Sequence, residues 1–339
     1  MVSGVTNTAA AFYIAGDWGT SNLRLWLVDS SSGKVADSLQ GEGINRIPAG
    51  QAGAAFMQLA KPWIEKYQPQ QALLCGMVGS NIGWINSGYQ TCPMDLLAEA
   101  LPLVSVTDPG LPTLLQINIV PGLRCQRDGD VPDVMRGEET QLIGALAITA
   151  ALCQGPQLVC LPGTHNKWVH LQDGVVSHFM TSLSGELYDL LASHSVLLRG
   201  SPGVAAFDSE AFAAGVSRSQ QGLDLLHLLF ETRSRQIAGH LSPQAAPAFL
   251  SGLIIGRDMA GAMQPYGNSP ASLPAITVIA SSKLGELYCR AGQQLGFICS
   301  ALDGSNLSQT GLHHIYQRAF QRQALQQQAL QQQALQQLP

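Results

Sequence analysis

The feature that most constrains the fold of this chain is a short motif that occurs twice, about half the chain apart. Five residues recur at an offset of 144 positions: Gly19 with Gly163, Thr20 with Thr164, Asn22 with Asn166, Leu27 with Leu171 and Asp29 with Asp173. The repeats of solenoid proteins are far shorter than this spacing. The motif therefore predicts two similar domains rather than a solenoid.

Each copy of the motif lies between two runs of residues with high β-strand propensity. Residues 12–18 and 23–29 flank the first turn, and residues 158–161 and 167–171 flank the second. Two such runs joined by a short polar turn are typical of a β-hairpin. We therefore expect each domain to open with a hairpin.

Helical and strand patterns alternate elsewhere, which indicates an α/β fold. Strands are predicted near 71–76, 115–120 and 275–280, and helices over 51–66, 94–100, 184–198, 205–216, 222–238, 245–263 and 283–295. A further helix is expected to start at the acidic segment 137–140 and to end near Gly155, which puts the domain junction near residue 150.

The predicted domains are 1–150 and 151–320, followed by a low-complexity Gln/Ala/Leu tail over 321–339. The leucines of the tail recur every five residues and so drift around a helix. A solvated helical extension and a partner-binding coiled coil are the two interpretations of this segment. No chemistry is assigned to it.

Composition and charge narrow the range of functions. Of the 339 residues 46% are hydrophobic and 12% charged, which excludes disorder for most of the chain. A net charge of -5 gives no general attraction for nucleic acid or anionic membranes. The longest apolar run, Leu142–Cys153, is shorter than the ~20 residues that cross a bilayer, and the first residues lack a basic signal-peptide start. We expect a cytoplasmic protein, with a homodimer left open.

Both repeated turns contain residue types that bind phosphate. The first turn has Asp17 at a strand end, then a glycine that lets a ligand approach the backbone, and the hydroxyls of Thr20 and Ser21. The second turn, 163–167, adds a lysine. An ordinary hairpin turn is the alternative for either one alone, but the pair favours a nucleotide bound with a metal ion. P-loop, Rossmann and α/β-hydrolase motifs are absent from the sequence.

Several strings resemble one known family. They are DWGTSNLR at 17–24, CGMVGSNIGW at 75–84, DVMRGEETQ at 133–141, LPGTHNKWV at 161–169 and FLSGLIIG at 249–256. They are similar to the 2-dehydro-3-deoxygalactonokinase family of the actin-like ATPase and sugar kinase superfamily, over about residues 12–318. The resemblance implies two duplicated actin-like (ribonuclease H-like) ATPase domains with ATP and Mg²⁺ in the cleft between them. It also implies phosphorylation of the C6 hydroxyl of 2-dehydro-3-deoxy-D-galactonate in galactonate catabolism.

The same resemblance implies which residues bind the nucleotide. The first phosphate loop would comprise Asp17, Gly19, Thr20 and Ser21, with Asp17 holding Mg²⁺ through water and acting in catalysis. The second would comprise Gly163, Thr164, His165, Asn166 and Lys167. The adenosine loop would lie at 279–284, where Ser281 and Ser282 replace the usual glycines.

Phosphoryl transfer also needs a carboxylate to accept the proton of the attacking hydroxyl, and cations near the phosphates. Arg136, Glu138 and Glu139 supply both at a predicted helix start, where the helix dipole favours ionised carboxylates. The alternative is that the two glutamates only stabilise the helix N-terminus.

The sugar-acid pocket is expected in the segment 76–84. By resemblance it would include Gly79, Ser80, Asn81 and, as an apolar wall, Trp84. Arg24 and Arg136 are the candidates for binding the substrate carboxylate, because a planar guanidinium binds it in a bidentate manner. A structural ion pair is the alternative for each arginine.

Other functions remain open at this point. A kinase of the same fold for another sugar or sugar acid would share the phosphate loops and differ around 76–84. An actin-like switch module would instead hydrolyse ATP slowly without any sugar. The glycine-poor adenosine loop also leaves room for an impaired copy of the kinase.

Overall fold

The chain forms two units, in a computed structural model that describes residues 11–126, 132–201, 207–264 and 274–321. The first unit contains the residues up to Cys153 and again those from Asn306 onwards, and the second spans Gln154–Ser305. Within the described ranges, no helix has the length and apolar character needed to cross a membrane.

The first unit is built on a mixed sheet. Its elements are β1 (Phe12–Trp18), β2 (Asn22–Asp29), β3 (Val35–Glu42), α1 (Ala52–Tyr67), β4 (Gln71–Cys75), β5 (Tyr89–Thr91), β6 (Met94–Asp95), β7 (Val104–Ser105), β8 (Gln116–Ile119), β9 (Gly122–Cys125), β10 (Asp133–Met135), α2 (Glu138–Ile148) and, near the end of the chain, α8 (Leu307–Tyr316). The main sheet has the order β3–β2–β1–β4–β8–β7, and a small sheet has the order β10–β9–β5. β1 pairs antiparallel with β2 and parallel with β4, so Asp17 lies beside Cys75 at the strand ends.

The core of the first unit lies between this sheet and α1. The buried positions of α1, among them Phe56, Ala60 and Trp63, recur at three- and four-residue intervals and so form one face of the helix. They pack with Ile14 and Leu74 from the sheet. This rigid layer supports the strand ends from which the loops described below emerge.

Helix α8 returns to the first unit and packs closely on α2. A Cβ at Gly144 would lie 2.2 Å from the carbonyl oxygen of Leu307, and one at Gly311 would lie 2.0 Å from that of Thr140. Only glycine at both positions lets the two backbones approach this closely. The prediction that the second domain runs to residue 320 is therefore wrong from Asn306 onwards. The predicted tail, 321–339, lies outside the described residues from 322.

The second unit repeats the sheet arrangement of the first. Its elements are β11 (Pro156–Leu161), β12 (Asn166–Gln172), β13 (Val175–Ser182), α3 (Ser184–His194), α4 (Ser209–Ser219), α5 (Leu225–Ile237), α6 (Ala246–Met263), β14 (Ile276–Ala280), α7 (Ser282–Gln294) and β15 (Cys299–Asp303). The strands run in the order β13–β12–β11–β14–β15. The first two pairs are antiparallel and the last two parallel, as in β3–β2–β1–β4–β8.

Both predicted hairpins are present, and their turns differ in length. Trp18 pairs with Leu23 in the first hairpin, whereas Leu161 pairs with Lys167 in the second. The second turn is therefore one residue longer. The offset of 144 positions consequently aligns the second strands of the two hairpins, whereas their first strands are 143 positions apart.

The helix predicted over 94–100 is wrong. Met94 and Asp95 form the short strand β6 instead. The Asp95 carboxylate then accepts hydrogen bonds from the backbone amides of Leu97 and Ala98, at 3.0 and 2.8 Å. A local side-chain acceptor of this kind favours a turn over a continuing helix.

Candidate functional site

The first repeated turn is a compact loop with exposed polar side chains. The amide of Gly19 donates to the carbonyl of Asn22 at 2.9 Å, which closes the turn. A Cβ at Gly43 would lie 2.3 Å from the carbonyl oxygen of Thr20, so this loop packs directly on the segment that follows β3. Thr20 and Ser21 point to solvent. The backbone of the loop is thus held in place, and the hydroxyls of Thr20 and Ser21 are accessible to solvent.

Asp17, at the end of β1, has one carboxylate oxygen occupied by two partners. Arg24 Nη2 donates to Asp17 Oδ2 at 2.6 Å, and the buried Ser308 Oγ on α8 donates to the same oxygen at 2.9 Å. The other oxygen, Oδ1, accepts no hydrogen bond from the described residues. Sequence reasoning missed Ser308, because nothing near it in the chain indicates that α8 returns to this strand.

The segment 76–84 follows β4 and begins with a constrained glycine. Gly76 has a φ of 91°, and a Cβ there would lie 2.8 Å from the Trp18 carbonyl oxygen and 3.3 Å from Asp17 Oδ1. A Cβ at Gly137 would in turn lie 3.3 Å from Gly76 Cα. The ends of β1 and β4 and the start of α2 therefore converge at one point.

The residues predicted for the sugar-acid pocket have different environments within this segment. The Ser80 hydroxyl is buried and donates to the Met77 carbonyl at 2.7 Å, so it stabilises the turn. Trp84 is half-buried, with its ring 5.8 Å from that of Phe56 on α1. Asn81 is exposed, and it is the one of these side chains that faces solvent.

Arg136 is held by the loop between β4 and β5. Its guanidinium donates through Nη1 to Ser87 Oγ and through Nη2 to the Gly88 carbonyl, at 2.8 Å for the latter. It also stacks on the ring of Tyr89, 4.4 Å from the ring centre. Sequence reasoning missed Ser87 and Tyr89, which have no motif of their own.

The two glutamates at the start of α2 differ in how deeply they are buried. Glu138 is half-buried, and its Oε2 accepts from the Arg136 amide at 3.0 Å. Glu139 is fully buried; it accepts from the Gly137 amide at 2.6 Å and from Thr140 Oγ1 at 2.9 Å. Burial, together with the charge of Glu138, raises the pKa of Glu139 to about 8. The expectation that the helix dipole keeps both carboxylates ionised is wrong for Glu139, because desolvation outweighs the dipole.

In the second unit, the second repeated turn packs on the start of α3. A Cβ at Gly185 would lie 2.1 Å from the Gly163 carbonyl oxygen, so only glycine permits this approach. The Glu186 amide donates to the Thr164 carbonyl at 2.9 Å. The side chains of His165 and Glu186, both about half exposed, contact each other at 2.6 Å. The turn is therefore fixed by α3.

A cavity of about 640 Å³ adjoins this turn. It is lined by Gly163, Thr164, Gly185, Tyr188, Ile254, Ile255, Lys283, Leu284, Leu287 and Tyr288, among others. Its volume is in the range of small-molecule pockets, and its wall combines apolar side chains with a few polar groups. Among the described residues that line the cavity, Lys283 is the one with a positively charged side chain.

Lys167 and Asn166 lie behind the turn rather than in the cavity wall. Lys167 is 4% exposed, and its ammonium lies 3.4 Å from the His165 carbonyl. Asn166 is fully buried. Ser281 and Ser282, at the end of β14 and the start of α7, are exposed and do not line the cavity, which the next two residues of α7 do.

Asn166 belongs to a buried network around Asp258 of α6. Asp258 accepts from Asn166 Nδ2 at 2.7 Å, from Trp168 Nε1 at 2.9 Å and from the Tyr288 hydroxyl at 3.1 Å. Tyr288 lines the cavity. The carboxylate therefore joins β12, α6 and α7 behind the second turn. Sequence reasoning missed Asp258, which follows Arg257 in an otherwise largely apolar helix and belongs to no motif.

Comparisons with known proteins agree on one family. The family model described as 2-keto-3-deoxy-galactonokinase matches residues 17–315. A Rhizobium meliloti (strain 1021) protein named as a probable 2-dehydro-3-deoxygalactonokinase is 37% identical over 90% of this chain and 96% of its own length. The 2-dehydro-3-deoxygalactonokinase of Escherichia coli (strain K12) is 36% identical over 90% of this chain and 97% of its own.

A comparison with solved structures supports the same family. The crystal structure of a protein assigned as a 2-dehydro-3-deoxygalactonokinase from Sinorhizobium meliloti superimposes with a TM-score of 0.79 at 33% identity, covering 91% of this chain and 99% of its own. The family that the sequence motifs resemble is confirmed. This chain belongs to the 2-keto-3-deoxy-galactonokinase family.

Proposed function

We propose that this chain is a phosphotransferase that moves the terminal phosphoryl group of ATP to the C6 hydroxyl of 2-dehydro-3-deoxy-D-galactonate. The two curated relatives are named as this kinase, one of them as a probable one. The similarity to this chain covers nearly their whole length. The structural observation that carries the proposal is the convergence of Asp17, Gly76 and Gly137, which come from three of the family-like strings. This convergence supports the proposal that the residues for phosphate, for the proton and for the sugar acid act together in the first unit.

The nucleotide is assigned to the cavity of the second unit. Gly163 and Thr164 would approach the phosphates through the backbone, and Lys283 would pair with phosphate charge. Tyr188, Leu284 and Leu287 supply apolar wall for the base. The same order and direction of five strands in both units support the interpretation that they are duplicated actin-like domains. The interdomain cleft stays a prediction.

Asp17 is the proposed residue for the magnesium ion. Mg²⁺ is commonly held by one or two carboxylates together with water and substrate phosphates. Asp17 fits, since Oδ1 accepts no hydrogen bond from the described residues while Arg24 and Ser308 fix Oδ2. In the described parts of the chain, no three His, Cys, Asp or Glu side chains form a metal-binding group. When bound, the ion would neutralise phosphate charge.

Glu138 is the proposed general base. It is half-buried at the start of α2, next to the point where the three loops converge, whereas Glu139 has no exposed surface. Glu138 would accept the proton of the C6 hydroxyl as that oxygen bonds to phosphorus and the bond to ADP breaks. The Arg136 amide keeps its carboxylate near the loop.

The test is coupled ADP release from Mg-ATP by the full chain. We would compare 2-dehydro-3-deoxygalactonate with its gluconate epimer, simple hexoses and no sugar. Release that depends on the galactonate is the expected result. Release with another sugar only would indicate a different sugar kinase, and slow sugar-independent release would indicate the switch module; the names of the relatives favour neither.

A further inference from the structure

Arg136 has an unusual combination of fixed geometry and uncompensated charge. Ser87, the Gly88 carbonyl and the Tyr89 ring hold its guanidinium from three sides. None of these groups is an acid, and no described carboxylate pairs with it. Its Nε is buried and has no hydrogen-bond partner among the described residues. A partly buried cation without a counter-charge is costly, so the site is suited to an anion.

Arg24, the other candidate, is in the opposite situation. Its Nη2 lies 2.6 Å from Asp17 Oδ2, so its charge is already paired within the first unit. Moving it to a substrate carboxylate would leave the Asp17 carboxylate without that partner. The two arginines that the sequence left equivalent are therefore distinguished by what they contact.

The support around Arg136 is itself rigid. Ser87 is 6% exposed, and its hydroxyl lies within hydrogen-bonding distance of the carbonyls of Gly79 and Val120. A Cβ at Gly79 would lie 2.8 Å from Arg136 Nη1 and 2.4 Å from Ser87 Oγ. The guanidinium is thus held in one position, which lowers the entropy lost when a planar anion binds.

We propose that Arg136, positioned by Ser87 and Tyr89, binds the carboxylate of the sugar-acid acceptor and makes the enzyme select acids over neutral sugars. The loop takes one N–H of Nη1 and one of Nη2, so each of these two nitrogens keeps a second N–H that can donate to a carboxylate, whereas Nε is buried. This inference rests on the proposed kinase function. It adds the group on the substrate that is recognised and the residues that recognise it.

The experiment compares an acid with its neutral counterpart in the full-length enzyme. The readout is kcat/KM for 2-dehydro-3-deoxygalactonate divided by kcat/KM for its methyl ester, which keeps the hydroxyls and lacks the charge. We expect Arg136→Gln to reduce this ratio by about 10- to 100-fold, the usual contribution of a charge-assisted contact. The loss should appear as a higher KM for the acid, with a smaller effect on kcat/KM for the ester.

Matched variants separate recognition from folding. Arg24→Gln removes the other arginine of this region and should lower kcat without changing the ratio of acid to ester. Ser87→Ala and Tyr89→Leu leave Arg136 in place and loosen its support, so each should lower the ratio by a smaller factor of about 3 to 10. These two serve if Arg136→Gln fails to fold.

The outcomes are distinct. A ratio that stays at the wild-type value in Arg136→Gln, or in both support variants when Arg136→Gln does not fold, overturns the inference. A ratio that falls only in Arg24→Gln assigns the carboxylate to the other arginine and also overturns it. A wild-type enzyme that releases no ADP with the acid refutes the proposed function itself, before any variant is compared.

Discussion

The fully buried Glu139 offers a direct test of how burial and hydrogen bonding act in the first unit. We would replace it by glutamine, which is neutral at every pH and has the same shape. The amide fits the observed contacts: its oxygen can accept from the Gly137 amide, and its NH₂ can donate to the Thr140 hydroxyl, which also accepts. The substitution therefore removes the ionisation and keeps the hydrogen bonds.

The magnitude follows from the pKa of Glu139, which burial raises from 4.5 to about 8. Below pH 4.5 both folded and unfolded chains hold the proton. Between 4.5 and 8 the unfolded chain releases it while the folded chain keeps it, so the free energy of unfolding falls by about 1.4 kcal/mol per pH unit. Cys75 and Glu138 are the other acids near this carboxyl.

Glu139→Gln should therefore stabilise the protein increasingly as the pH rises. We expect a gain below about 1 kcal/mol at pH 5 and of about 2 to 5 kcal/mol at pH 8, from the same linkage relation. Urea unfolding at both pH values, with Glu138→Gln as the control at a carboxylate that is not fully buried, measures the difference. An equal gain at the two pH values would refute the reasoning, because the native carboxyl would then ionise as it does in the unfolded chain.

Four further predictions concern the two units. Glu138→Gln should lower kcat by about 100-fold or more with little change in KM for ATP, as expected for a general base; unchanged kcat in the coupled assay would remove it from that role. Lys283→Gln should raise KM for ATP by about tenfold through loss of one charged contact, leaving KM for the sugar acid unchanged. Gly185→Ala should raise KM for ATP and lower stability by about 1–3 kcal/mol, since the new Cβ would meet the Gly163 carbonyl 2.1 Å away; the exposed Gly163→Ala, whose Cβ meets nothing within 4 Å, is its stability control. Asp258→Ala should shift the indole fluorescence of Trp168 and raise KM for ATP, because it removes the carboxylate that accepts from three buried donors and leaves the Trp168 indole without that acceptor; retention of both properties would show that the network does not support the cavity.

The hairpins and the α/β alternation were predictable because they depend on local patterns. The strand runs around Gly19 and Gly163 and the polar turns between them carry their own signals. The local segment around Met94 misled the prediction, because Asp95 caps a turn that composition does not reveal. Secondary structure was therefore predicted correctly where one pattern of apolar and polar residues extends over many positions. The prediction failed in a short segment of mixed composition.

The site was predictable only in part, for a different reason. The family-like strings singled out Asp17 and the segments 76–84 and 136–139 as candidates, and these lie at or begin directly after strand ends. Ser308, Ser87 and Asp258 reach their partners through tertiary contacts over long sequence separations. The different environments of Glu138 and Glu139 are equally invisible in sequence, since consecutive helix residues point in different directions and the packing around α2 decides which of them is buried.

The return of α8 to the first unit has a consequence for how the protein is made. Chains emerge from the ribosome from the N-terminus at roughly 5–20 residues per second, and domains generally fold as they become complete. All residues of the second unit, Gln154–Ser305, are available before the helix that supplies Ser308 to Asp17 has been synthesised. The unit begun first is therefore completed last, and nascent chains halted before Asn306 would contain a finished second unit beside a first unit still lacking its final helix.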